Sequence, residues 1–208
     1  MPSTKTETTI FGFASLGLAE DLVRTITALG YEEPTPVQRE TIPLLLEGRD
    51  VLAQAATGTG KTAAFALPML QRIRTAEAKR RPAPLGGLVL VPTRELAMQV
   101  AEAVHKYARG TALAVLPLYG GAPMHQQIKG LERGPAVVVA TPGRALDHIR
   151  RGTLKLEQLS VLILDEADEM LDMGFAEDLD AILEATPRTR QTALFSATIP
   201  SRILAIAG

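Results

Sequence analysis

There is no cysteine among the 208 residues of this chain. Disulfides and cysteine-ligated metal centres are thereby excluded, although the absence says little about compartment. Long apolar runs are also missing: no stretch approaches the roughly 20 consecutive apolar residues that a membrane-spanning helix needs. The first ten residues, MPSTKTETTI, hold no apolar segment of the kind a secretion signal carries. The expected location is cytoplasmic, with no membrane partner. Net charge is nearly absent too. The 22 Lys+Arg and 23 Asp+Glu leave −1, so there is no basic coat, and any nucleic-acid contact has to be local. The densest basic cluster, Lys79-Arg80-Arg81, lies in TAEAKRRPAP and reads as a solvated, exposed connection. No internal repeat or low-complexity tract is found, and nothing points beyond a monomer.

What is present suits one sizeable domain. The length allows a well-buried core, and 46% hydrophobic residues is ordinary for a globular protein. Residues 1–10 are polar and threonine-rich and read as a flexible tail, leaving 11–208 as the domain. Leu22, Val23, Ile26 and Leu29 recur at helical spacing and stop at Gly30; Thr35-Pro36 opens a second helix that ends near Gly48. Six apolar runs of strand length follow: 50–54, 87–91, 113–119, 136–140, 160–165 and 192–198. Helical patterns lie between them, with Leu96, Val100, Val104 and Tyr107 on one face, and Leu171, Phe175, Leu179 and Ile182 on another. Strands alternating with helices predict an α/β fold, a mainly parallel sheet flanked by helices on both faces. Near-continuous Val/Leu runs fit strands buried on both sides. Ligands of such sheets bind beyond the carboxyl ends of the strands. Six polar clusters fall there: ATGTGKT, PTRELA, Gly120-Gly121, TPGR, DEAD and SAT.

The first cluster has the chemistry of a phosphate cradle. Gly58 and Gly60 can take the dihedrals that turn backbone N–H groups inward, Lys61 can reach the β and γ phosphates, and the Thr62 hydroxyl can ligate Mg²⁺. Ala55 stands where the usual pattern has its first glycine, and a Gly-rich turn before a helix is the bland alternative. VLILDEAD places Asp165 and Glu166 at the end of a strand. One carboxylate can hold the metal, largely through its water shell, and the other can orient or deprotonate a water. Acidic residues opening a helix would also satisfy its dipole. Thr35-Pro36-Val37-Gln38 fits a capping box, yet a glutamine amide could equally read adenine.

With these clusters read, the chain resembles the DEAD-box family of RNA helicases, from about Phe13 to its end. The resemblance implies the RecA-like fold of P-loop NTPases, specifically the N-terminal lobe, with ATP or ADP and Mg²⁺ as ligands. GYEEPTPVQ (30–38) matches the family's adenine-reading Q motif, with Phe13 upstream as aromatic partner. The implied nucleotide site is Phe13, Tyr31, Gln38, Ala55, Ala56, Thr57, Gly58, Thr59, Gly60, Lys61 and Thr62. Lys61, Asp165 and Glu166 would be catalytic, with Thr62 and Asp165 toward the metal. Core packing remains the alternative for Phe13. The implied RNA grip is Pro92, Thr93, Arg94 and Glu95, then Gly120 and Gly121, then Thr141, Pro142, Gly143 and Arg144. Such contacts see backbone, not bases; for each arginine a surface ion pair is the alternative. Asp168, Ser196 and Thr198 would couple nucleotide to RNA, unless the hydroxyls merely cap their own turn. Family members have a second, C-terminal RecA-like lobe that completes the ATPase site. Only ten residues follow Thr198, so the expectation is a lobe that binds adenine nucleotide, and RNA weakly, with little turnover, from a parent that remodels RNA duplexes. A stand-alone nucleotide- or RNA-binding module is the alternative.

Overall fold

A computed structural model describes residues 12–77, 84–199 and 201–207. The expected tail, 1–10, and the cluster Lys79-Arg80-Arg81 lie outside them. After a 3₁₀ turn, Gly12–Leu16, the elements run α1 (Glu20–Ala28), α2 (Pro36–Leu46), β1 (Val51–Gln54), α3 (Lys61–Glu77), β2 (Gly87–Leu90) and α4 (Arg94–Tyr107). They continue with β3 (Val115–Leu118), α5 (Met124–Glu132), β4 (Val137–Ala140), α6 (Pro142–Arg150), β5 (Val161–Leu164), α7 (Ala167–Asp172), α8 (Ala176–Glu184), β6 (Gln191–Ser196) and α9 (Ser201–Ala207). The six strands form one sheet in the order β1-β6-β5-β2-β4-β3, every neighbouring pair parallel.

Side-chain alternation explains why the apolar runs read as continuous. Val89, Val137, Val139, Val161 and Ile163 point into one core with residues of α1 to α4, including Ile26, Ile42, Phe65 and Val104. Their chain neighbours Leu88, Val138, Leu162 and Leu164 point into a second core with Leu146, Met170, Leu179 and Ile203. Successive Cβ atoms of a strand face opposite sides, so a sheet covered on both faces needs apolar residues at every position. Phe65 of α3 meets Phe195 of β6 at 5.5 Å between ring centroids, and both are fully buried. Burying a ring of that size contributes about 2–3 kcal/mol, which pins α3, and with it the loop before α3, onto the sheet.

The structure departs from the sequence pattern in two places. The face Leu171, Phe175, Leu179 and Ile182 spans two helices, broken at Gly174, which has φ +86°. Phe175 N–H donates to Met170 O and Gly174 N–H to Leu171 O, the paired bonds of a Schellman cap, which needs a left-handed residue there. Apolar periodicity persists across the break because α7 and α8 pack on the same core. The last strand also ends earlier than the apolar run suggests, at Ser196, so Ala197 and Thr198 turn out of the sheet and stand exposed.

Candidate functional site

Parallel strands put the ends of β1, β5 and β6 side by side, and with them the segments 55–60, 165–168 and 196–198. Ala55 continues the sheet ladder: its N–H donates to Ser196 O at 2.9 Å. The positive-φ residues of this loop are Gly58 and Gly60, at +83° and +89°, and Ala55 is not one of them. This accounts for an alanine at that position, since a residue still paired to the sheet has no use for glycine's extra freedom. At Gly60 both constraints apply. A Cβ there would lie 2.5 Å from Gln38 Nε2 and 3.2 Å from Thr35 Oγ1.

Gln38 is only 1% exposed, and its amide spans two jobs. Its Oε1 accepts from Thr35 N–H at 2.9 Å, the return half of a capping box on α2, while its Nε2 donates to Gly60 O at 3.0 Å. The forward half is weak: Thr35 Oγ1 is buried without a hydrogen-bond partner. Each end of the amide keeps one further bonding position. Gly60→Ala should therefore cost about 2 kcal/mol, from backbone strain and displacement of a bonded Gln38. Chemical denaturation measures it, and an unchanged midpoint would show that the loop relaxes freely. Phe13 is buried and meets Tyr31 edge-on at 6.2 Å; Tyr31 Oη shares a 2.6 Å hydrogen bond with Tyr107 Oη. A base stacking on Phe13 would have to displace what covers it.

Across the cleft, Lys61 Nζ lies 2.7 Å from Glu166 Oε1 and 3.6 Å from Asp165 Oδ1, all three groups buried. Thr57 Oγ1 donates to the same Glu166 oxygen at 2.8 Å. Glu166 is the one non-glycine residue with positive φ among the described residues, at φ 53° and ψ 50°. A left-handed glutamate costs about 1–3 kcal/mol and persists where the surroundings over-determine it. In this conformation its carboxylate meets Thr57 and Lys61 of the glycine-rich loop. Burial pushes the Asp165 carboxyl up to about 6; Lys61 opposes the rise and the neighbouring Glu166 adds to it. The folded state thus holds this proton more tightly than the unfolded chain does. On this group alone, stability is lost as pH rises from 3.8 to about 6. A cation beside Asp165 would recover it, so the donor set fits Mg²⁺, with the half-buried Thr62 at the start of α3 as a hydroxyl ligand. Among the described residues there is no cluster of three or more His, Cys, Asp or Glu that could hold a metal by itself.

Asp168, Ser196 and Thr198 lie together. Asp168 Oδ2 accepts from Thr198 N–H and Thr198 Oγ1, both at 2.9 Å, and Asp168 N–H donates to Ser196 Oγ at 3.1 Å. Burial pushes the Asp168 carboxyl up, but the hydrogen bonds from Thr198 and Ser196 outweigh it and hold the group below its ordinary value.

The segments after β2, β3 and β4 form a second group. Thr93 caps α4 by accepting from Leu96 N–H, Pro92 is buried, and Arg94 and Glu95 are exposed. The Arg94 guanidinium lies 5.1 Å over the Tyr119 ring. Gly120 and Gly121 are exposed, and Thr141, Pro142 and Gly143 open α6, whose cap position Thr141 makes no side-chain bond. Arg144 is not a free cation: its Nη1 donates to Ala122 O and to Gln127 Oε1, each at 3.0 Å. Sequence reasoning missed Gln127 and His148, both buried here. A lone polar residue on an amphipathic helix carries no signal of which way it faces.

The model of the DEAD/DEAH box helicase family matches residues 35–206. DEAD-box ATP-dependent RNA helicase CshA of Bacillus cereus is 49% identical over 94% of this chain, which covers 36% of that protein. RNA helicase CrhR of Synechocystis is 52% identical over 98% of the chain and 39% of the relative. A DEAD box protein from Methanococcus jannaschii superposes with a TM-score of 0.88 at 42% identity, over 95% of this chain and 53% of that one. The chain thus spans under two-fifths of the length of these two curated relatives.

Proposed function

Because this chain belongs to the DEAD/DEAH box helicase family, and has its RecA-like fold, we propose that it is the N-terminal, adenine-nucleotide-binding lobe of an ATP-dependent RNA helicase. The single observation that carries this is the convergence of Lys61 and Thr57, from the phosphate loop, on one carboxylate oxygen of Glu166. A cation and a hydroxyl collected around an oxyanion are what a phosphate group requires.

Lys61 exchanges the Glu166 carboxylate for a phosphate oxygen, and Gly58 leaves room on the loop for the anion. Asp165 and Thr62 would hold Mg²⁺, which when bound would supply positive charge against the phosphates. Glu166, released from Lys61, orients and deprotonates the attacking water. Gln38 uses the remaining donor and acceptor of its amide on adenine while keeping Gly60 in place. Asp168, Ser196 and Thr198 connect this cleft to the ends of the neighbouring strands. The exposed amides of Gly120 and Gly121 and the start of α6 meet RNA backbone phosphates, without sequence preference. The remaining cations of the ATPase site come from a second lobe, so this chain alone turns ATP over poorly.

Titration with fluorescent ADP and GDP in Mg²⁺, beside Gln38→Ala, tests the nucleotide reading. ADP should bind about tenfold more tightly than GDP, and the variant should lose that preference. Equal affinities, with only a lower melting temperature in the variant, would leave Gln38 as a helix cap.

A further inference from the structure

Resting on the RNA reading above, we propose that Gln127 and His148 are positioning residues. Through buried hydrogen bonds they fix Arg144 and the turn 119–122 in the arrangement that meets RNA backbone.

Gln127, on α5, donates from Nε2 to Tyr119 O at 3.0 Å, and its Oε1 lies 3.0 Å from Arg144 Nη1 and 2.9 Å from His148 Nε2. The first two bonds fix the amide, because Arg144 can only donate and a backbone carbonyl can only accept. Gln127 Oε1 is therefore an acceptor, and His148 must carry a proton on Nε2. Burial, with Arg144 nearby, holds the fully buried His148 below its ordinary pKa; Asp147 opposes this and Arg151 reinforces it. The ring is neutral, so Nδ1 takes the single Thr153 hydroxyl proton at 2.8 Å, the shorter of its two options, His148 O lying 3.1 Å away. One directed chain thus runs from Thr153 through His148 and Gln127 to Tyr119.

Its ends explain why a polar network is kept where apolar residues would pack more cheaply. Arg144 is tied to Ala122 O as well as to Gln127, so α6 and the Gly120-Gly121 turn are held to each other from both sides. The Tyr119 ring lies beneath Arg94, which adds the segment after β2. One uncharged, buried amide therefore registers three loops that the sequence spaces far apart. Phosphate contacts on several loops gain affinity only if the loops are already in register.

Gln127→Ala removes the link without removing a cation. For the 208-residue chain, its affinity for a fluorescent oligouridylate, read by anisotropy, should fall about tenfold. Mg-ADP affinity should stay within about twofold. Gln127→Glu keeps an acceptor for Arg144 and His148 but cannot donate to Tyr119 O, so it should fall between parent and alanine. Nitrogen chemical shifts of His148 should report the neutral Nε2–H tautomer at pH 7. RNA affinity equal in parent and variants, or RNA and ADP affinities falling together with the melting temperature, overturns the inference. So does the Nδ1–H tautomer. A parent chain without RNA affinity, but with ADP bound normally, overturns the RNA reading itself and this inference with it.

Discussion

Lys61→Ala is expected to weaken Mg-ADP binding by about a hundredfold or more, measured by isothermal titration. Lys61 is 5% exposed and paired to Glu166 at 2.7 Å. It is a desolvated charge, held where a phosphate would replace its carboxylate partner. Truncating one member of a buried, hydrogen-bonded charge pair costs about 2–5 kcal/mol, much of it the penalty of the unpaired charge left behind. Here two charges are left, because Asp165 and Glu166 lose their shared cation. The Asp165 carboxyl, already pushed up to about 6, then rises further. The variant should therefore also take up a proton at neutral pH and melt at a lower temperature. Affinity within twofold of the parent would remove Lys61 from the phosphate site.

Glu166→Gln should separate binding from chemistry. Glutamine keeps an oxygen that can accept from Lys61 and Thr57, so the phosphate loop should hold its place and nucleotide affinity should change only a few-fold. The charge that adds to the Asp165 upward shift disappears, and Asp165 ionises more readily. In the proposed two-lobe parent, RNA-stimulated hydrolysis should fall by about 10²–10⁴-fold, the span associated with a positioned general base. Single-turnover ATP hydrolysis measures this directly. Rapid turnover by the variant would place the base elsewhere.

The apolar runs of the central strands β2, β4 and β5 are legible because those strands are buried on both faces, whereas the edge strands β1 and β3 are only partly buried. Leu88, Val89 and Leu90 are all fully buried, so the strand had to be apolar at every position and stood out in the sequence. The clusters after the runs were legible for a related reason, since a parallel sheet brings strand ends to one edge whatever lies between them. Less legible was anything set by orientation within an element. Gly174 breaks a helix whose apolar face continues unbroken, and only the left-handed φ reveals the cap. Gln38 could be weighed as a cap or a base reader; the fold shows it capping α2 and holding Gly60 at once.

By itself the sequence determined the parallel α/β sheet, the glycine-rich loop after β1, the acidic pair and the three polar segments after β2, β3 and β4. These depend on residue type and spacing along one chain. The tertiary structure alone decided that Lys61 and Thr57 share one Glu166 oxygen, that Glu166 is held left-handed, and that Gln127 ties Arg144 to Tyr119. Those hydrogen bonds join residues from 8 to 109 positions apart, and a hydrogen bond a few ångströms long is fixed by how packed elements meet, which no local pattern encodes.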